Sequence, residues 1–171
     1  DQDAKEQFDL VAGGSRMAVS VGSSLIGLGG DVLGVDDPHN LEDVESDAGL
    51  EAARNWFAEF RSTRMNDPMN TPLVVNMQRL SQNDISGLIT KSDDYDDWVH
   101  FMVPMEHDPA RHCVTVLKWD DSGNPEVQWE DPRTKPKELM WPERVGPKEL
   151  ASLKTDLGPY MASGRLQQEP V

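Results

Sequence analysis

The sequence predicts an α/β fold built on a parallel sheet, followed by a C-terminal β-hairpin and a helical connector. Three observations carry that expectation. Two apolar runs, Asp31-Val32-Leu33-Gly34-Val35 and Pro72-Leu73-Val74-Val75-Asn76-Met77, each stop on a polar pair, Asp36-Asp37 and Gln78-Arg79. Between them, DAGLEAARNWFAEFRSTRM puts Leu50, Ala53, Trp56, Phe57 and Phe60 on one helical face. A third apolar run, Trp98 to Val103, follows the short helical segment DISGLIT and is stopped by Pro104. Strand, helix, strand, helix, strand is the rhythm of parallel strands joined by right-handed crossovers.

Taken in order, the first third is glycine-rich, with AGG at 12–14, then VGSS and GLGG. Val19, Val21, Leu25, Ile26 and Leu28 are interleaved with those glycines, which suits short extended segments joined by tight turns. The run from Asp31 to Val35 is almost continuously apolar, the pattern of a strand buried on both faces. Ser46 is placed to cap the long helix, and Asn66-Asp67-Pro68 stops it. Ser81 is the expected cap of DISGLIT. Beyond Pro104, the segments Cys113 to Trp119 and Glu126 to Trp129 flank Asp-Asp-Ser-Gly-Asn-Pro, a turn composition. Pro147 suits the first residue of a helix over KELASLKTDL, and Gly158-Pro159 must break or kink it before YMASGRLQQ. Residues 1–104 therefore read as a nucleotide-binding-type core and 105–171 as the hairpin and connector.

Charge and composition narrow the function. Over 171 residues, 16 Lys and Arg face 31 Asp and Glu, a formal net charge of -15. That field repels nucleic acid and anionic membranes and excludes a basic DNA-binding module. The single cysteine, Cys113, excludes an internal disulfide and a thiolate-built zinc site. No apolar run approaches the roughly 20 residues that span a bilayer, and the first residues, DQDAKEQFD, do not read as a secretory signal. A soluble intracellular chain is expected, with both ends as cuts through a longer polypeptide.

Asp36 and Asp37 are the first candidate site. A carboxylate at the carboxyl end of a central strand lies where ligands gather in α/β proteins and can hold hydrated Mg²⁺ against nucleotide phosphates. The next acid can orient or deprotonate water. Gln78 and Arg79 close the neighbouring run, so an amide and a guanidinium reach the same sheet edge, where they can contact a γ-phosphate. His107 and His112, flanking Asp108-Pro109-Ala110-Arg111, are expected to be solvated. Asp93, Asp94, Asp96 and Asp97 lack the glycine and terminal glutamate of a calcium loop and are expected to form a charged, solvated loop. Trp119, Trp129 and Trp141 are expected to pack under the hairpin, and Cys113 in the core.

In order along the chain, GGSRMAVSVGSSLIGLGGDVLGVDDPHN, SDAGLEAARNWF, VVNMQRLSQNDISG and ELMWPERVGPKELASLKTDLGPYMASGRLQQEPV resemble the large terminase subunit of tailed bacteriophages, from about Phe8 to Val171. The resemblance implies the distal part of a P-loop-type DNA-packaging ATPase core, followed by a connector toward a ribonuclease-H-type nuclease. It implies Mg²⁺ and ATP as cofactors, Asp36 as the metal-holding Walker B acid and Asp37 as the catalytic carboxylate that activates water. It implies Gln78 and Arg79 as a coupling and phosphate-sensing pair, and Gly158, Tyr160, Gln167, Gln168 and Pro170 as the linker. It also implies double-stranded viral DNA, the portal protein and the small terminase subunit as partners, a homo-oligomeric ring, no membrane, and the host cytoplasm as location. No Gly-Lys dipeptide occurs, so the phosphate-binding loop is missing. The stretch Gly27-Leu28-Gly29-Gly30 lacks the family's frequent arginine, leaving Arg16 as the stand-in for an arginine finger. Two other readings compete: a metal-dependent nuclease gathering Mg²⁺ on Asp36, Asp37 and Asp84, and an acidic, non-catalytic interaction module.

Overall fold

A computed structural model describes residues 7–23, 27–122 and 125–171, so Leu25 and Ile26 and the turn residues Gly123 and Asn124 lie outside the described residues. In the glycine-rich start, β1 (Gln7–Asp9) and β2 (Ser15–Met17) pair antiparallel, with Phe8 opposite Arg16. The turn between them is closed by the Leu10 N–H donating to the Gly14 carbonyl at 2.9 Å. Of the residues interleaved with glycine further on, Val19, Val21 and Leu28 lie in no strand, and Gly22 and Gly27 fall in turns.

The next elements are β3 (Leu33–Asp36), α1 (Leu41–Val44), α2 (Asp47–Arg64) and β4 (Leu73–Asn76). β3 and β4 are neighbours in a two-stranded sheet. The Leu33 N–H donates to the Pro72 carbonyl at 3.0 Å and the Asp37 N–H to the Asn76 carbonyl at 2.9 Å, the slanted ladder of a parallel pair. The expected burial on both faces is not found. Leu33 and Val35 are buried while Gly34 and Asp36 are exposed, and Val74 is exposed on β4. With two strands and alternating burial, this sheet has one covered face.

α1 opens on a capping box, in which Asn40 Oδ1 accepts from the Asp43 N–H and Asp43 Oδ2 from the Asn40 N–H. Ser46 Oγ accepts from the Gly49 N–H at 3.1 Å at the start of α2, as a capping serine should. Leu50, Ala53 and Phe57 of the predicted apolar face are buried, and Trp56 stacks on Phe60. α3 (Ile85–Lys91) takes Asp84 as its cap, not Ser81. A carboxylate holds the N-terminal N–H groups more strongly than a hydroxyl, because the helix dipole favours a negative charge there.

Residues 98–103 form no strand. Val99 and Phe101 are exposed, and the aromatic and β-branched composition that suits a strand finds no neighbouring ladder. Further on, β5 (Val114–Trp119) and β6 (Pro125–Glu130) pair antiparallel, with register shifts between Thr115 and Lys118. Cys113 is buried, as expected. The following loop is pinned by a buried ion pair: Arg133 Nε and Nη2 donate to the two oxygens of Asp131 at 2.9 and 2.7 Å. Arg133 Nη1 also donates to the Met105 and Glu138 carbonyls. These bonds hold the Asp131 carboxyl below its ordinary range.

α4 (Pro147–Gln167) begins at Pro147 and is interrupted at Gly158, whose φ of 70° and ψ of 168° are non-helical. The sequence expectations of a proline start and a Gly158-Pro159 break both match. The chain divides into two compact units, Asp1–Leu33 with Asn55–Val74, and Gly34–Arg54 with Val75–Val171. Among the described residues, no helix is long and apolar enough to cross a membrane.

Candidate functional site

The parallel pairing of β3 and β4 brings their carboxyl ends together, and with them the residues that follow each strand. Asp36 is exposed, and its Oδ1 accepts from Asn76 Nδ2 at 2.8 Å. Asp37 is also exposed, and its Oδ1 accepts from the Gln78 N–H at 2.9 Å. Asp37 has a φ of 40°, in the left-handed region that aspartate tolerates better than most side chains. That turn lets Asp37 bond the end of β4 through its backbone N–H to Asn76, and the segment just beyond it through its carboxylate to Gln78. The predicted acid pair and Gln78 are therefore joined, with Asn76 as a member that sequence reading missed. Its signal was one polar side chain ending an apolar strand.

Arg79 turns elsewhere. Its Nε donates to both oxygens of Asp84 at 3.0 Å, and its Nη2 to the Ser81 carbonyl at 3.3 Å. Asp84 is fully buried and also accepts from the N–H groups of Leu80, Ser81 and Gly87. This guanidinium forms an ion pair at the start of α3, where the buried carboxylate of Asp84 requires a charged partner.

His39 was not singled out in the sequence. It is buried, and its Nε2 accepts from the Ile85 N–H at 3.0 Å. The proton of the neutral ring must then sit on Nδ1, which has no partner among the described residues. Desolvation pushes His39 below its ordinary 6.5, against the opposing fields of Asp84 and Asp43. Residues 37–39 and 78–85 thus close a ring: Asp37 to Gln78, Arg79 to Asp84, and Ile85 back to His39. α4 adjoins this ring, since a Cβ on Gly164 would stand 2.6 Å from the Arg79 carbonyl oxygen. At the end of α4, Arg111 Nη1 and Nη2 donate to the carbonyls of Gln167 and Gln168 at 2.8 and 3.0 Å.

Arg16 is exposed on β2, in the other compact unit. Among the described residues no group of three or more His, Cys, Asp or Glu is placed to hold a metal ion, so Asp36, Asp37 and Asp84 do not form a metal-gathering trio. Asp36 alone still suits a hydrated Mg²⁺, which commonly takes one or two carboxylates and keeps its waters.

The expectation of solvated histidines is overturned at His107, which is buried. Its Nδ1 bonds the Lys135 carbonyl at 3.0 Å, its Nε2 meets His112 Nδ1 at 3.1 Å, and His112 Nε2 meets Glu130 at 3.1 Å. Trp129 packs edge-on against Phe101, whereas Trp141 is exposed beneath the Arg144 guanidinium. No protein-family model, curated protein or solved structure matches this chain.

Proposed function

We propose that this chain is part of a phage DNA-packaging motor of the large terminase type, in which ATP hydrolysis drives viral DNA into the procapsid. The observation that supports this most is the hydrogen-bonded cluster of Asp36, Asp37, Asn76 and Gln78 at the carboxyl ends of two parallel strands, the position where α/β proteins hold phosphate ligands. Asp36, oriented by Asn76, would hold Mg²⁺, which supplies neutralisation of charge on the transferred phosphoryl group when bound. Asp37 has one oxygen fixed by the Gln78 N–H, and its exposed carboxylate is free to position water and accept its proton.

Coupling then runs through this chain's own bonds. A change at Asp37 reaches Gln78, and through Arg79 and Asp84 it reaches the start of α3, to which His39 returns. Arg79 acts in this reading as part of the relay. The phosphate loop, the nuclease, the portal protein, the small terminase subunit and a ring of copies belong to the complete motor in the host cytoplasm.

The test is ATP-driven packaging of linear double-stranded DNA into procapsids by the intact gene product. Asp36→Asn and Asp37→Asn abolish packaging, whereas Arg79→Lys, which keeps a cation beside Asp84 but loses the bond to the Ser81 carbonyl, keeps ATP turnover but slows DNA movement. Packaging at the wild-type rate by both aspartate variants would sink the reading.

A further inference from the structure

Between β5 and the segment 96–100 lies an open cavity of about 550 Å³. Its apolar wall is Val114 and Val116, which alternate with buried Thr115 along β5, together with Val99 and Trp98. Asp96 and Asp97 form its charged rim. Both carboxylates are exposed, and among the described residues neither joins an ion pair. His100 is the one lining residue able to carry positive charge, and desolvation, then Arg79 and Arg111, hold it below its ordinary value. The stretch from Ser92 to Ala110 contains no lysine or arginine, so nothing in that segment offsets the rim. β5 has β6 as its only strand partner among the described residues, leaving it an edge strand.

We propose that this groove binds an extended basic segment of a protein partner, with apolar and Arg or Lys side chains in alternation. An extended chain repeats its side chains with period two, the spacing of Val114 and Val116, so its apolar side chains seat against that wall. The alternate basic side chains then meet Asp96 and Asp97, beside Trp98 in the groove wall. An acidic partner is repelled by the rim, and an uncharged one leaves two carboxylates unpaired. The groove is separate from the Asp36 and Asp37 cluster, and the proposal does not depend on the reading of that cluster.

The probe is the peptide acetyl-Val-Arg-Val-Arg-Val-amide, titrated into the full chain by calorimetry, with its citrulline counterpart as the uncharged control. Asp96→Asn with Asp97→Asn weakens binding by roughly fivefold or more, as loss of two exposed charge pairs allows. Glu45→Gln with Glu51→Gln, which removes the same charge from two other exposed positions, leaves affinity within about twofold. The Trp98 indole N–H resonance, assigned by its loss in Trp98→Phe, shifts on titration with the arginine peptide. Equal weakening by both double variants, equal binding of the citrulline peptide, or a Trp98 resonance unmoved at saturation would each overturn the proposal.

Discussion

Asp84 takes hydrogen bonds from Arg79, Leu80, Ser81 and Gly87 while fully buried, so its charge is satisfied entirely by neighbours within a few residues. Removing one partner of a buried pair strands the other charge away from water. Asp84→Ala is therefore expected to cost about 3 kcal/mol or more of stability, read as a lower urea midpoint. His39 adds a pH dependence whose sign follows from its bonding. The ring must be neutral to accept the Ile85 N–H, and its folded value lies below 6.5, so the unfolded chain binds more protons than the folded one below that value. The contribution is fully present above about pH 6.5 and is lost as pH falls through the folded value. Urea midpoints at about pH 7.5 and about pH 5.5 should show a steeper loss for wild type than for His39→Gln, whose amide oxygen accepts the same N–H without titrating. Parallel losses would remove His39 from that slope. Neither residue's role was legible from the sequence in full. Asp84 precedes an apolar turn and could be read as a helix cap, but its pairing with Arg79 and the burial of His39 depend on how α3 seats against the residues after β3.

At the level of elements, β3, α2 and β4 were readable because each is an apolar run or an apolar helical face with its own stop, Asp36-Asp37, Asn66-Asp67-Pro68 or Gln78-Arg79. The run from Trp98 to Val103 has strand composition yet forms none, since a strand exists only with a partner. His107 was misread for a related reason. Its partner Lys135 is 28 residues away, and Glu130 is 18 residues from His112, distances over which local pattern carries no information. The break in α4 was legible because Gly158 and Pro159 act on the backbone itself. At φ 70° and ψ 168°, Gly158 occupies a region nearly closed to other residues, while open space surrounds the position where a Cβ would sit. Gly158→Ala should therefore cost about 1–3 kcal/mol through backbone strain alone, measurable by urea unfolding. A neutral substitution would mean that the break relaxes into continuous helix.

For the whole molecule, the net charge of -15 and the exposed acid pair describe a surface that meets cations more readily than nucleic acid. In the proposed motor this chain contributes one wall of a nucleotide site, and the isolated 171 residues, without a Gly-Lys phosphate loop, are expected to show no ATP turnover. The assignment of water activation to Asp37 is the central claim. It is tested by steady-state Mg²⁺-dependent ATP turnover of the intact gene product with Asp37→Asn, which keeps the side chain's size and its acceptor for the Gln78 N–H but removes the base. The predicted result is a loss of about 10²–10⁴-fold in turnover with nucleotide affinity retained, and turnover within about twofold of wild type, far above that floor, would contradict it.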